Sequence, residues 1–386
     1  MQRVALAERP NWRDRAAELG FTFHSPNGEP YWDETAYYAF TLEEIETRIE
    51  DPTAELDQMA RQLVDRVVRS EELLTRLCIP EAAWDAVRTS WHRGAPSLYG
   101  RFDLSYDGTG PAKLLEYNAD TPTSLYEAAA FQWFWLEDQI TAGMLPKGAD
   151  QYNSIHEKLV ARFAELSGQG TLHLACVDDS IEDRGTIAYI DECARQGGFD
   201  TKFIAMADIG LGPDGQFYDL DRQPIHRLFK LYPWEWMFGE PFAEALLRSN
   251  TGMLEPPWKA VLSNKGILPL LWEMWPGHPN LLPSYFEDDP RAQEIDGGYA
   301  LKPLFSREGA NIELVRGGRV IDREAGPYGR EGRVVQALAP LPCRDGNHAV
   351  LGSWVIAGKA AGLGIREDKS AITKNTSRFL PHAIIG

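Results

Sequence analysis

The chain has 386 residues, of which 44% are hydrophobic and 25% charged, so it can bury a large core in one to three domains. Its net charge at pH 7 is −18, which argues against nucleic acid and anionic membranes as partners, because both attract basic surfaces. The four cysteines have no Cys-x-x-Cys or Cys/His spacing, so we expect free thiols in a reducing compartment, the cytoplasm.

The first part of the chain, residues 1–96, has the patterns of helices. Residues 1–21 contain no continuous apolar run and no later stretch is long and apolar enough, so we expect neither a signal peptide nor a membrane span. Apolar residues recur at helical spacing from Leu42 to Arg69, and Thr41 with Glu44 forms a predicted capping box. A further helix is predicted from Pro80 to about Trp91.

A predicted β-hairpin at 97–118 carries polar residues at alternating positions. Arg101 and Asp103 lie in its first strand, and Glu116 and Asn118 lie in its second, after an Asp/Gly-rich turn at 107–111. Because side chains alternate across a strand, each pair shares one face. The other face is predicted to be apolar and to consist of Phe102, Leu104, Leu115 and Tyr117. If the register of the two strands aligns the pairs, one arginine and three oxygen ligands converge on one patch, a set that suits Mg²⁺ beside a phosphate. A surface hairpin with ordinary polar residues is the alternative.

The next helix is predicted from a capping box of Ser124 and Glu127 to about Leu145. Four aromatic residues place it in the core, because apolar residues on all sides of a helix imply burial: Phe131, Trp133, Phe134 and Trp135. The turn at 118–123 precedes this helix, and free N–H groups at a helix start favour an anion such as a substrate carboxylate.

An α/β unit is predicted over residues 150–245. It contains a strand at 171–177, a helix from Ile181 to Gln196 and a strand at 202–206, the order of a βαβ unit. Four carboxylates crowd the carboxyl end of its first strand: Asp178, Asp179, Glu182 and Asp183. They are consistent with ordinary helix capping or with an acidic pocket for an amine.

The last part of the chain is rich in predicted strands. Lys302 lies in a strand at 299–303, and a glycine- and arginine-containing loop at 306–311 follows it, an arrangement that can fold over phosphates. The P-loop sequence is absent. Further strands are predicted at 312–316 and 334–338, with a hairpin at 349–366.

Taken in order, these motifs resemble the synthetase domain of the glutathionylspermidine synthase family, whose members are ATP-grasp ligases. The chain as a whole resembles most the stand-alone bacterial proteins of this family, which are proposed to be acid–amine ligases. The resemblance extends over the whole chain. It rests on Arg101-Phe102-Asp103, Glu116-Tyr117-Asn118-Ala119-Asp120, Asn264-Lys265, Lys302-Pro303, Arg307-x-Gly309-x-Asn311, Gln336 and Arg366.

The fold that this resemblance implies is of the α+β class: an ATP-grasp-type ligase with antiparallel sheets, a flanking α/β subdomain and an N-terminal helical region. Residues 1–149 would form the helical region with the metal-binding hairpin, 150–253 the α/β substrate subdomain, and 254–386 the nucleotide-clamping part. No amidase domain is expected, because the chain begins directly in the synthetase-like part.

The same resemblance implies ATP and Mg²⁺, with two ions, and a set of site residues. The implied metal ligands are Asp103, Glu116 and Asn118. Arg101 and Arg366 would be catalytic, stabilising the transferring phosphoryl group. The implied ATP contacts are Arg101, Phe102, Asp103, Lys265, Lys302, Arg307, Glu308, Gly309, Gln336, Ala371, Ile372 and Thr373. The implied substrate contacts are Thr121, Thr123, Glu182 and Asp183.

The implied activity is ATP-dependent ligation of a small-molecule carboxylate to a small-molecule amine through an acyl phosphate, with release of ADP and phosphate. An ATP-binding regulatory or binding protein that has lost ligation is the alternative. A ligase that acts on a peptide or on the cell wall is a third interpretation. The residues leave the acid and the amine open, including glutathione and spermidine.

Overall fold

The computed structural model describes residues 1–168 and 170–386 of the chain. Its α-helices are α1 (Trp12–Glu18), α2 (Leu42–Ile45), α3 (Asp51–Val67), α4 (Glu71–Arg76), α5 (Trp84–His92), α6 (Gln132–Thr141), α7 (Ile155–Leu166), α8 (Ile181–Gln196), α9 (Trp234–Met237), α10 (Ala243–Arg248) and α11 (Ile267–Met274). Its strands are β1 (Gln2–Ala5), β2 (Ala36–Phe40), β3 (Tyr99–Ser105), β4 (Lys113–Asn118), β5 (Thr171–Cys176), β6 (Asp200–Ala205), β7 (Gly210–Leu211), β8 (Phe217–Tyr218), β9 (Arg227–Leu231), β10 (Gly252–Leu254), β11 (Ser284–Phe286), β12 (Tyr299–Pro303), β13 (Glu313–Arg316), β14 (Arg319–Arg323), β15 (Arg333–Ala337), β16 (Cys343–Arg344), β17 (Asn347–Ile356), β18 (Lys359–Asp368), β19 (Arg378–Leu380) and β20 (His382–Ile384).

Two antiparallel sheets line one cavity between them. The larger has the order β19-β18-β17-β3-β4, with β16 beside β17, and the other has the order β11-β15-β12-β13-β14. Strands β3, β4, β12, β13, β15 and β17 all contribute side chains to one cavity between the sheets. The predicted antiparallel sheets are therefore present, and the space between them is the place for a ligand.

The predicted βαβ unit forms a separate four-stranded parallel sheet in the order β10-β9-β5-β6. Helix α8 connects β5 to β6, as the sequence pattern indicated. The small sheet β1-β2-β20 joins strands from both ends of the chain. The division of the chain near residues 150 and 254 stays a prediction.

The helix predicted from Leu42 is present, with α2 joined to α3 by a π-helical turn, Glu46–Glu50. The capping box forms as predicted, because the Thr41 hydroxyl accepts from the Glu44 N–H at 3.1 Å and the Glu44 carboxylate accepts from the Thr41 N–H at 3.0 Å. Helix α3 packs its apolar side chains, including Leu56 and Leu63, into the core beneath the larger sheet.

The second predicted capping box is wrong. Ser124 does precede a helix, but its φ is +65° and its hydroxyl bonds Tyr31 at 2.7 Å and Arg366 at 3.1 Å instead of capping the helix. The aromatic helix is also only partly core. Trp135 is fully buried, whereas Trp133 is 36% exposed and lines a cavity. One face of this helix is therefore available to a ligand.

Within residues 1–168 and 170–386, none of the helices has the length and apolar character needed to cross a bilayer.

A buried neutral histidine makes the stability of the fold depend on pH. The Tyr152 N–H donates to Nε2 of His382 at 3.1 Å, so the ring proton is on Nδ1, which donates to Gln132 at 2.9 Å. Burial lowers the pKa of His382 to about 3. Unfolding therefore takes up a proton below pH 6.5, and between pH 7 and pH 4.5 we expect this histidine to remove about 2–3 kcal/mol of unfolding free energy.

The measurement is urea unfolding at several pH values, for the wild type and for His382→Gln. Other titrating groups cancel in the difference between the two proteins. The variant should be less stable at pH 7 and should lose less stability on acidification. Parallel curves would contradict the prediction.

Candidate active site

The β3–β4 hairpin sets the predicted site residues in register. Arg101 lies opposite Asn118, and Asp103 lies opposite Glu116. On the other face, the rings of Phe102 and Tyr117 stack with centroids 3.8 Å apart. The predicted hairpin and its polar face are thus confirmed.

The four polar side chains form one connected network. Arg101 donates from Nε to Oδ1 of Asp103 at 2.7 Å and from Nη2 to Oδ2 at 3.0 Å. The Asn118 amide donates to Asp103 at 3.0 Å and to Glu116 at 3.3 Å. The third nitrogen of the Arg101 guanidinium, Nη1, donates to the Thr123 carbonyl at 2.5 Å. Each of the three guanidinium nitrogens of Arg101 therefore has a hydrogen-bond partner, which fixes the orientation of the group.

Two lysines approach the same face from elsewhere in the chain. Lys265 Nζ lies 2.9 Å from Glu116 Oε2, and Lys302 Nζ donates to Gln336 at 2.7 Å. Burial alone would raise the pKa of Glu116, but the charges of Lys265 and Lys302 lower it to about 2. Burial lowers the pKa of Lys302 to about 8. The site therefore holds an ionised Glu116 with the ammonium group of Lys265 beside it and the buried Lys302 close by.

An apolar cavity of about 250 Å³ lies between the two antiparallel sheets. Its walls include Ile312, Leu314, Leu338 and Ile372, and its polar end reaches Lys302. An apolar group with a negatively charged tail suits this lining, because the apolar walls exclude water while the lysine end attracts negative charge.

A polar cavity of about 90 Å³ adjoins the apolar one. The two share Asp103, Glu116, Gly309 and Thr373 in their walls. The polar cavity is also lined by basic side chains, which are Arg101, Lys265, Arg307, Arg366 and Lys374. The same wall carries as many carboxylates, which are Asp103, Glu116, Asp120, Glu235 and Glu308. The lining therefore offers cationic groups to phosphate oxygens and carboxylates to a metal ion.

The loop predicted to cover phosphates closes one side of the polar cavity. Arg307 donates to the Thr121 hydroxyl at 2.8 Å, and its guanidinium carbon lies 5.6 Å from the Trp236 ring centroid. Gly309 has a φ of +73°, and a Cβ there would lie 2.6 Å from the Thr373 carbonyl. Only glycine allows the loop to approach the 371–373 segment this closely.

Arg366 organises the opposite side of the polar cavity. Its Nε donates to the Ser377 carbonyl at 2.8 Å, and its Nη2 donates to the Lys374 and Asn375 carbonyls at 2.8 Å each. The residue is 8% exposed. The guanidinium, which lines the polar cavity, thus fixes the 374–377 backbone against β18, and its third nitrogen, Nη1, donates to the Ser124 hydroxyl at 3.1 Å.

The family description "Glutathionylspermidine synthase preATP-grasp" matches residues 3–385. The chain belongs to this family. A proposed acid–amine ligase of Haemophilus influenzae is 39% identical over 100% of both chains. The bifunctional glutathionylspermidine synthetase/amidase of Escherichia coli is 26% identical over 97% of this chain, which spans 63% of that protein.

A solved glutathione synthetase-like effector from Globodera pallida has the same fold, with a TM-score of 0.55 and 13% identity over 98% of each chain. The predicted α+β ATP-grasp-type ligase fold is therefore confirmed. With its family membership, the chain is an enzyme of the acid–amine ligase and glutathionylspermidine synthetase type. These relatives support ATP-dependent amide ligation, which uses ATP and Mg²⁺.

The predicted magnesium ligands fit that ion by their chemistry. Asp103, Glu116 and Asn118 are adjacent in register and offer carboxylate and amide oxygens, the donors that Mg²⁺ prefers. Among the described residues, no three histidine, cysteine, aspartate or glutamate side chains come together as a metal cluster, and this site combines two carboxylates with one amide. Arg101 and Lys265 neutralise the two carboxylates in this structure.

Most of the sequence-predicted site residues line the two joined cavities. The apolar cavity is lined by Asp103, Glu116, Lys302, Gly309, Gln336, Ala371, Ile372 and Thr373. The polar cavity is lined by Arg101, Asp103, Glu116, Asn118, Thr121, Thr123, Lys265, Arg307, Glu308, Gly309, Arg366 and Thr373.

Three predicted residues lie elsewhere. The Phe102 side chain points to the opposite face of the hairpin and is fully buried against Tyr117. Glu182 lines a third cavity, and Asp183 follows it in α8. Sequence reasoning missed the contributions of Ser124, Lys374 and Asn375. The Ser124 hydroxyl contacts Arg366 from 242 positions away, and Lys374 and Asn375 contribute backbone carbonyls, for which side-chain patterns give no signal.

Proposed function

We propose that this protein ligates a carboxylic acid to an amine by way of an acyl phosphate, with ATP as the phosphoryl donor. The observation that carries the proposal is the junction of the two cavities, where Arg101, Asp103 and Glu116 face Lys265 and Lys302. Carboxylates for metal, cations for phosphate and an apolar slot for a base occur here together.

The adenine would occupy the apolar cavity, beside the backbone that follows Gln336 and against Ile372. The phosphates would extend past Lys302 and Lys265 to the polar cavity, beneath the loop of Arg307, Glu308 and Gly309. The lysines supply positive charge to the phosphate oxygens, and the loop excludes water from the transferring group.

Asp103, Glu116 and Asn118 would hold Mg²⁺, for which we expect two ions. The metal would supply positive charge to the phosphate oxygens when bound. The charges of Lys265 and Lys302 keep Glu116 ionised, which leaves it ready to act as a ligand.

The acid would bind in the polar cavity, where Thr121, Thr123 and Arg307 offer hydroxyl and guanidinium donors. One oxygen of its carboxylate attacks the γ-phosphorus of ATP, and ADP leaves. Arg101 and Arg366 would stabilise the charge that accumulates on the moving phosphoryl group. The amine nitrogen then attacks the acyl carbon, the bond to phosphate breaks, and an amide remains.

The test is release of ADP from magnesium-ATP in the presence of a panel of carboxylates and amines, including glutathione and spermidine, with mass spectrometry of the products. We expect one acid–amine pair to stimulate ADP release and to give a product of their summed mass less water. Asp103→Ala should abolish both signals. Tight ATP binding without stimulation by any pair would favour an ATP-binding regulatory protein instead.

A further inference from the structure

His348 belongs to the wall of the apolar cavity between the two antiparallel sheets. Its Nδ1 atom is buried and has no hydrogen-bond partner in the part of the chain that the structure describes. A buried polar atom without a partner costs free energy, and a ligand that supplies the partner recovers it. This nitrogen is therefore a candidate contact for whatever fills the cavity.

Strand β17 connects His348 to the proposed metal ligands. His348 and Val350 line the apolar cavity, and Gly352, two residues further on, lies opposite Asp103 in β3. A Cβ at Gly352 would lie 2.7 Å from Cδ of Arg101, so this face of β17 leads to the proposed site of phosphoryl transfer. The four residues from Gly352 back to His348 span about 13 Å of strand. His348 therefore lies beyond the triphosphate, at the level of the nucleoside.

The other polar side chains in the wall of the apolar cavity are either bonded within the protein or placed elsewhere. Hydrogen bonds already engage four of them, which are Asp103, Glu116, Lys302 and Gln336. Thr373 lies at the junction with the polar cavity, and Arg316 is exposed at the end of β13. Nδ1 of His348 is thus the buried polar atom that this wall offers to a nucleoside.

The sugar is the part of the nucleotide that needs such a partner. The base has the backbone after Gln336 as its proposed neighbour, and the phosphates have Lys265 and Lys302. A ribose brings two hydroxyl groups into a cavity with mainly apolar walls, and a hydroxyl that leaves water without a new hydrogen bond loses free energy. An imidazole nitrogen can donate to a hydroxyl or accept from it, depending on the tautomer.

We propose that His348 is a nucleotide-binding residue and that its Nδ1 forms a hydrogen bond with a hydroxyl group of the ribose. The inference rests on the proposed binding of ATP between the sheets. It makes the protein selective for ribonucleotides over deoxyribonucleotides. The proposed metal ligands and the phosphate loop cannot supply this selectivity, because they act on the triphosphate.

The test is calorimetric titration with the magnesium complexes of ATP, 2′-deoxy-ATP and 3′-deoxy-ATP, for the wild type and for His348→Phe, without acid or amine. For the wild type we expect the Kd of at least one deoxynucleotide to exceed that of ATP by about 3- to 10-fold, the effect of one hydrogen bond. In His348→Phe, the Kd of ATP should rise by the same factor, whereas the Kd of that deoxynucleotide should change by less than about two-fold.

His348→Asn separates hydrogen bonding from packing. Asparagine keeps a polar atom close to the position of Nδ1, so this variant should retain most of the discrimination, which a purely structural role of the ring would not restore. The matched control is His226→Phe, at an exposed histidine directly before β9. It should bind all three nucleotides as the wild type does.

Two results would overturn the inference. One is a wild type that binds ATP and both deoxynucleotides with equal Kd, which needs no variant to be observed. The other is a folded His348→Phe that still distinguishes ATP from the deoxynucleotide as strongly as the wild type. If the wild type binds no nucleotide, with or without the panel acids, the proposed ligase function itself is wrong.

Discussion

Arg101→Ala is expected to lower kcat for ADP release by about 10²–10³-fold, the scale of a lost electrostatic donor in a preorganised site. Arg101 lies between the proposed metal ligands and the part of the polar cavity that is proposed to hold the acid, and three of its contacts fix its orientation. A side chain held this rigidly reorganises little when negative charge develops on the transferring group. The measurement is steady-state ADP release with the acid–amine pair found in the panel.

A matched control is Arg248→Ala, because Arg248 is exposed and, among the residues that the structure describes, forms its ion pair with Glu244 alone, on helix α10. It should leave kcat unchanged. Arg101→Lys should recover only a small part of the activity, since an ammonium group cannot reproduce the paired bonds to Asp103. Turnover of Arg101→Ala within a few-fold of the wild type would contradict the assignment.

The hairpin shows how much of the site could be predicted from the sequence. Because a strand has a period of two, alternation alone predicted that Arg101 and Asp103 share one face of their strand and that Glu116 and Asn118 share one face of theirs. The pairing of the strands, which the sequence left open, brings all four side chains to the same face of the sheet. Leu115 was harder. The register shifts between Asp103 and Leu104, so this leucine lines the apolar cavity instead of joining the packed face.

Local signals gave elements but not their long-range partners. Thr41 formed its predicted capping box because both partners lie within one turn. Ser124 carried the same sequence signal, yet its hydroxyl bonds Arg366, which lies 242 positions away. Tertiary contacts of this kind override a local pattern and leave no trace in the neighbouring residues.

Burial was likewise predictable on average but not at each residue. The aromatic helix was expected to be core, and Phe131 and Trp135 are fully buried. Trp133 and Phe134 instead line the third cavity, because the helix borders that cavity along one face. A continuous run of aromatic residues in the sequence does not show which of them pack against the core and which line a cavity.

The sequence also gave no sign of the ion pair that joins the site to the parallel sheet. Lys230 in β9 donates to Oδ1 of Asp120 at 2.6 Å, and the Trp234 N–H donates to Oδ2 at 2.9 Å. Both charged side chains are almost completely buried, with exposed fractions of 0% and 2%. Asp120 belongs to the turn that carries Thr121 and Thr123. The Lys230–Asp120 ion pair therefore anchors this wall of the polar cavity to the α/β unit.

Lys230→Met is therefore expected to cost about 3–5 kcal/mol of unfolding free energy, because it leaves the Asp120 charge buried without its partner. The double variant with Asp120→Asn should be destabilised by less than the sum of the single changes, since the uncompensated charge is then gone. Urea unfolding of the two single variants and the double variant measures this coupling.

Lys359→Met, at an exposed lysine beside the β17–β18 turn, controls for the loss of a charge and should change stability by less than about 0.5 kcal/mol. Additive effects of the two buried changes would mean that Asp120 and Lys230 are stabilised independently. In that case the turn at 118–123 would be held by the Trp234 N–H and the hairpin alone. The part of the polar cavity that is proposed to hold the acid would then not depend on the Lys230 strand of the parallel sheet. Strong coupling between the two changes, together with a raised KM for the acid in the Lys230→Met variant, would instead show that the geometry of the proposed acid-binding part of the polar cavity depends on this buried ion pair.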